Sequence, residues 1–274
     1  MSPRRQSQHS RDQDRAPEKR SSSSGAKDSV RQIAVIADIH SNLTALNAVL
    51  NECKQRGITR FFCLGDIVGY SAHPQECIEA IRALTHCRTV LGNHDASVVA
   101  GEPDENMNPL AAAGIRYSVK HLTPDAREWL RARQLVKKIG TTETIVHASL
   151  VDPGAWHYVT ERREAKFSFL FQNTPICFFG HTHRPAIYST GDSPQAERIH
   201  EWKFRFDPRG HYMINPGSVG QSRSGDPRAH CVIYDRAEMT VEYLHLDYDI
   251  EAEIDAIQRA RLPAVLGERL LHGL

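Results

Sequence analysis

The chain has 274 residues, 40% of them hydrophobic, with 34 basic and 33 acidic residues. That length suits one large α/β domain, and a net charge of +1 gives none of the basic excess that marks a nucleic-acid-binding protein. No apolar run reaches the roughly eighteen residues of a membrane span, and no apolar leader opens the chain.

Residues 1–30 carry seven Lys/Arg, four Asp/Glu and a serine run, with too little apolar surface to fold. They are expected to form a disordered polar tail, leaving 31–274 as the folded domain. Residues 33–37 read as a buried parallel strand ending at Asp38. Leu43, Leu46, Val49 and Leu50 then recur at helical spacing, and Gly57 is placed to stop that helix. Residues 61–64 form a second strand ending at Gly65-Asp66. Pro74 opens a second helix carrying Ile78, Ile81 and Leu84, and residues 89–91 form a third strand ending at Gly92-Asn93. This alternation predicts right-handed βαβ crossovers in a mainly parallel sheet.

Residues 96–143 break the rhythm and read as a helical insertion near the site, with Thr123-Pro124-Asp125 as a helix start. Strands resume at 144–146 and 176–179. Residues 186–243 show short strands and turns of antiparallel character, and 248–271 read as helical with a break at Pro263. Six cysteines without a C-x-x-C pair are expected to be reduced and buried, in a cytoplasmic protein.

Five polar clusters close apolar runs: Asp38-Ile39-His40, Gly65-Asp66, Gly92-Asn93-His94-Asp95, His147 and Gly180-His181-Thr182-His183. They supply carboxylate, amide and imidazole groups and no thiolate, a set that suits a pair of borderline divalent ions. Asp66 is the natural bridging carboxylate. Two ions about 3.5–4 Å apart can hold a bridging hydroxide and clamp a phosphate for in-line attack on phosphorus. His94 follows Asn93 and is expected beside the metals without binding them, to protonate the leaving group or to hydrogen-bond the transition state. Asp95 is expected to hold its other nitrogen.

These five clusters, in this order, resemble the calcineurin-like metallophosphoesterases. The resemblance runs from about residue 31 to near the C-terminus. It implies a four-layer α/β/β/α sandwich of two mixed sheets flanked by helices. It also implies one ion on Asp38, His40, Asp66 and His183 and another on Asp66, Asn93, His147 and His181. Manganese is the expected metal, with iron, zinc and nickel also tolerated by these ligands. The segments Asp38-Ile39-His40-Ser41-Asn42 and Asn215-Pro216-Gly217-Ser218-Val219-Gly220 resemble a small bacterial and archaeal branch of phosphodiesterases.

The expected activity is therefore hydrolysis of a small phosphodiester, with nucleotide-derived diesters among the candidates and no membrane or nucleic-acid partner. Asn42, Gly217, Ser218 and Arg223 are candidate substrate contacts. Asn42 reads equally well as a helix N-cap, and Tyr70 could stack on a base, though packing is the commoner fate of a tyrosine. The same core serves protein Ser/Thr phosphatases and dinucleoside polyphosphate hydrolases. A non-enzymatic reading is a binding scaffold like the retromer subunit of this fold, which lacks the catalytic histidine that His94 would be here.

Overall fold

The computed structural model describes residues 31–190, 197–199 and 202–274; the expected tail at 1–30 lies outside them. Two six-stranded sheets form the centre of the molecule. The first has the order β3-β2-β1-β11-β12-β9, built from β1 (Gln32–Ile36), β2 (Arg60–Cys63), β3 (His86–Thr89), β9 (Lys203–Arg205), β11 (Ala229–Asp235) and β12 (Thr240–Leu246). The second has the order β4-β5-β6-β10-β7-β8. Its strands are β4 (Val136–Ile139), β5 (Glu143–Val146), β6 (Ile176–Phe178), β7 (Ala186–Ser189), β8 (Glu197–Ile199) and β10 (Tyr212–Asn215).

Strand β1 shows why its sequence is apolar throughout. Ile33, Val35 and Ala37 enter the core between the sheets, together with Phe62, Ile145, Phe178 and Ile214. Ala34 and Ile36 point the other way, onto the helices. A strand covered on both faces has no polar position to alternate with. Helix α1 (Leu43–Gln55) meets that outer face through Leu46, Val49 and Cys53, and α2 (Pro74–Ala83) through Cys77, Ile78 and Ile81. Beyond the second sheet, Val146, Cys177, Phe179 and Met213 pack with Ala165 of α6 (Arg162–Phe169). The result is the four-layer α/β/β/α sandwich.

The stretch 96–143 is not wholly helical. It holds the end of α3 (Asn93–Ala100), then α4 (Pro109–His121) and α5 (Pro124–Arg131), and it closes on β4, which pairs antiparallel with β5. Val98, Ile115, Leu122, Ala126 and Leu130 are buried in the same core as α1 and α2. These helices extend the outer layer. Strand β3 ends at Thr89, earlier than the apolar run suggests: Val90 N–H still donates to Cys63 O at 3.1 Å, but Val90 forms an isolated bridge with Gln134. The helical C-terminus divides at Pro263 into α7 (Ile250–Arg259) and α8 (Val265–His272). All six cysteines are free, and five are buried. Among the described residues, no helix is long and apolar enough to cross a membrane.

Strands β1, β2 and β3 run parallel, as do β5, β6 and β10. The carboxyl ends of both parallel sets therefore meet at one edge of the sandwich, where ligand sites of open α/β sheets form. Val219 N–H donates to Ala37 O at 2.9 Å, tying the two edges together, and within the second sheet the Asn215 amide donates to Gly180 O at 2.8 Å.

Candidate metal centre

Each sequence cluster sits in a sharp turn just past its strand. Asp38 N–H donates to Gly65 O, His40 N–H to Asp66 O and Ser41 N–H to Ile67 O, so the first two turns zip together. Asp38 (φ 54°), His40 (φ 50°), Asp66 (φ 52°), His181 (φ 68°) and His183 (φ 58°) all adopt left-handed backbone. That conformation costs a non-glycine residue on the order of 1–3 kcal/mol and concentrates at functional sites. The turns also need Gly92: a Cβ there would lie 2.1 Å from Asp66 Oδ1.

The imidazoles are oriented by backbone carbonyls. His40 Nδ1 donates to Val68 O at 3.1 Å, His147 Nδ1 to Leu64 O at 2.8 Å and His183 Nδ1 to Gln221 O at 2.5 Å. A carbonyl only accepts, so Nδ1 holds the hydrogen and Nε2 of each neutral ring is a lone pair. His40 Nε2 and His183 Nε2 then face each other at 3.0 Å. His147 Nε2 lies 3.1 Å from Asn93 Oδ1, 3.2 Å from His181 Nδ1 and 3.3 Å from Asp66 Oδ2. Asp66 Oδ2 is also 3.6 Å from His40 Nε2, and Asp38 Oδ1 is 3.6 Å from His183 Nε2.

Lone pairs converging at such distances in a buried site repel unless a cation lies among them. The groups Asp38–His40–His183 and Asp66–His147–His181 are each close enough to hold an ion. The oxygen and nitrogen donors fit divalent metals. The titration pattern agrees. Burial holds His40 and His183 well below the ordinary imidazole range, and it lowers His181 to about 3. Burial would also lower His147, but the Asp66 carboxylate beside it outweighs burial and raises it to about 9. A proton on His147 thus takes a position that a cation can fill.

His94 stands at the floor of an open cleft of about 1000 Å³, beside Asp66, Asn93, His181 and His183. Its ring lies edge-on to His40 at 4.6 Å, and Nδ1 is buried with no hydrogen-bond partner. Burial, reinforced by the charge of Arg223, lowers His94 to about 4. Arg223 lines the same cleft and donates through Nη2 to Tyr70 Oη at 3.2 Å.

The roles expected of Asp95 and of the Gly217–Ser218 turn need correction, and the two readings left open for Asn42 and for Tyr70 can be compared with the structure. Asp95 does not hold His94: its Oδ1 accepts from Ile67 and Val68 N–H and its Oδ2 from Gly92 N–H, so it organises the Asp66 turn. Asn42 caps α1 by accepting from Ala45 N–H and donates to Gly220 O, which leaves it committed to the fold. Gly217 N–H donates to Asn215 Oδ1, and Ser218 Oγ donates to Asp38 O; this turn braces the Asp38 loop from behind. Tyr70 lines the same cleft but is buried beside Arg223 and Arg269, in keeping with a packing role. The aromatic pair Trp156 and Tyr158 in the cleft wall was missed. The only signal was two large rings, two residues apart, in the polar turn after His147.

A further His/Asp group, Asp226–His230–His245, lies elsewhere. There Arg228 donates to Asp226 Oδ2 at 2.6 Å and sits 3.3 Å from His245 Nδ1, so the carboxylate already has its cation.

The sequence profile of the "Calcineurin-like phosphoesterase superfamily domain" matches residues 32–239. The chain belongs to the calcineurin-like phosphoesterase superfamily. Members use divalent metals, and the His/Asp groups above are this member's candidate sites. An uncharacterised protein of Methanocaldococcus jannaschii is 40% identical over 244 residues, 88% of this chain and 98% of its own. The crystal structure of a metallophosphoesterase from Sphaerobacter thermophilus is 32% identical with a TM-score of 0.79, covering 89% of this chain and 99% of that one. A hypothetical protein of Pyrococcus horikoshii, 22% identical with a TM-score of 0.72 over 89% of this chain and 98% of its own, shares the fold.

Proposed function

We propose that this calcineurin-like phosphoesterase is a two-metal phosphodiesterase acting on a small phosphodiester. Asp38, His40, Asp66 and His183 would hold one ion, and Asp66, Asn93, His147 and His181 the other. The observation that carries this reading is the convergence of carbonyl-oriented imidazole lone pairs on two points that share Asp66. Two divalent ions, when bound there, supply positive charge against the phosphate and an activated water.

The protein's own groups do the rest. Asp95 and the Gly217–Ser218 turn hold the ligand loops in place. His94 is neutral at pH 7 because burial and Arg223 depress it. It therefore serves as a hydrogen-bond donor to a phosphate oxygen rather than as a charged acid. Arg223 adds one more positive charge at the cleft. A single arginine suits the one negative charge of a diester better than a dianionic monoester.

The test is hydrolysis of bis-p-nitrophenyl phosphate against p-nitrophenyl phosphate by chelator-stripped protein with and without restored Mn²⁺. Metal-dependent turnover with the diester faster is expected. A faster monoester would make the protein a phosphatase, and no turnover with any of Mn²⁺, Fe²⁺, Zn²⁺ or Ni²⁺ would return weight to a scaffold.

A further inference from the structure

The cleft beside the metal centre has two unlike groups of lining residues. One is aromatic. Tyr158 stacks on His181 with ring centroids 4.1 Å apart and planes 20° apart, yet it is 52% exposed, so its other face is open to the cleft. Trp156 stands edge-on to His147 at 5.8 Å. Both rings therefore touch imidazoles of the metal centre, and both line the cleft.

The backbone is bent to present them. The 3₁₀ turn Pro153–Ala155 is bracketed by Asp152 (φ 44°) and Trp156 (φ 56°), both in left-handed conformation. For a residue as bulky as tryptophan this is a strained geometry, and strain of this kind persists at ligand sites. A large ring left partly open next to a polar centre has given up the burial that usually holds it.

The other group is acidic. Its lining runs through Glu102, Asp104 and Glu105, all exposed, and Arg223 is the sole arginine or lysine among the lining residues. A phosphate at the metals would be neutralised there. A second or third phosphate would lie against carboxylates with no cation to meet it. Sugar hydroxyls, by contrast, can donate to those carboxylates.

We propose that Trp156 and Tyr158 form a stacking platform for the base of a nucleoside phosphodiester with a single phosphate, its sugar hydroxyls turned to Glu102, Asp104 and Glu105. The proposal rests on the phosphodiesterase reading and narrows its substrate to nucleotide-derived diesters without a polyphosphate chain. Stacking a base on an aromatic side chain strengthens binding by on the order of 5- to 150-fold.

The test is calorimetric titration of the full, Mn²⁺-loaded chain in excess Mn²⁺, with adenosine 5′-monophosphate, ribose 5-phosphate and adenosine 5′-diphosphate. The monophosphate should bind at least about 5-fold tighter than ribose 5-phosphate. The ratio should fall to near one in the Trp156→Ala/Tyr158→Ala double variant and persist in Trp156→Phe/Tyr158→Phe, which keeps a ring at each position. The diphosphate should bind no tighter than the monophosphate. Equal binding of nucleotide and sugar phosphate by the wild type, or a ratio unchanged by the alanine variant, would overturn the platform. A tighter diphosphate would overturn the single-phosphate limit. Turnover of bis-p-nitrophenyl phosphate by the same preparation reports separately on the hydrolase reading, because a selective but inactive protein would keep the platform and lose the reaction.

Discussion

His147 shows how a single side chain links the fold to the metals. Its Nδ1 hydrogen is spent on Leu64 O in the other sheet, and its Nε2 faces Asp66. The Asp66 carboxylate raises its pKa from 6.5 to about 9. A folded value above the unfolded one adds stability that is fully present below pH 6.5 and lost as pH rises through about 9. Chelator-treated protein should therefore lose melting temperature over that window. Metal must displace the His147 proton, so Mn²⁺ affinity should climb with pH over the same range, with proton release visible in titrations run in two buffers. A pH-independent affinity would mean that His147 is not a ligand. His94 is the contrasting residue, lowered to about 4 and facing the cleft. His94→Ala should cut kcat by about 10²–10⁴-fold with metal content unchanged by elemental analysis; a large loss of metal would make His94 a ligand.

At the scale of the element, the Asp66 turn depends on its neighbours more than on its own sequence. Asp95, at the start of α3, accepts three backbone N–H groups from the Asp66 and Gly92 turns. Asp95→Ala would leave buried donors unsatisfied, each costing about 1–3 kcal/mol. The variant should unfold at clearly lower denaturant and bind metal weakly. A fully stable protein with reduced kcat would restore the role first expected of Asp95, holding the second ring nitrogen of His94. Gly92→Ala would push a Cβ to 2.1 Å from Asp66 Oδ1, whereas at Gly101, the C-cap of α3, a Cβ meets nothing within 4 Å. Gly101 has φ 93°, so alanine there costs about 1 kcal/mol of backbone strain. The first substitution should abolish metal binding and the second should leave it intact.

At the scale of the molecule, the site exists because two sheets end at one edge. A buried polar link holds the two sheets together. Glu143 on β5 accepts from Arg236 at 2.7 and 3.0 Å and from Tyr234 Oη at 3.2 Å, both from the first sheet or its end. Glu143 is 1% exposed, so Arg236→Ala would strand a buried carboxylate. Because Arg236 is itself 40% exposed and partly screened by water, the expected loss is about 1–3 kcal/mol. It should be measured by urea unfolding. Saturating metal at 100 times its Kd should add about 2.7 kcal/mol, since ions bind the assembled edge and not the unfolded chain.

The strand–helix rhythm, the break at Pro263 and the five polar clusters were legible from residue order alone. Burial on both faces forces continuous apolar runs, and a ligand at a strand end interrupts them in a recognisable way. Strand β4 escaped because Val136-Lys137-Lys138-Ile139 is half-covered at a sheet edge and lacks strand alternation. The site roles expected of Asp95, Gly217 and Ser218 failed for one shared reason. Each is a polar or flexible residue in a turn, and residue type does not say whether its hydrogen bonds turn towards the cleft or back into the fold. Residue types and spacing thus determined which side chains can hold metal and which chemistry they suit. Only the tertiary structure decided which lone pairs converge, which neighbours merely brace them, and that Trp156 and Tyr158 share a cleft with three acids, because those relations are set by the packing of two sheets and not by distance along the chain.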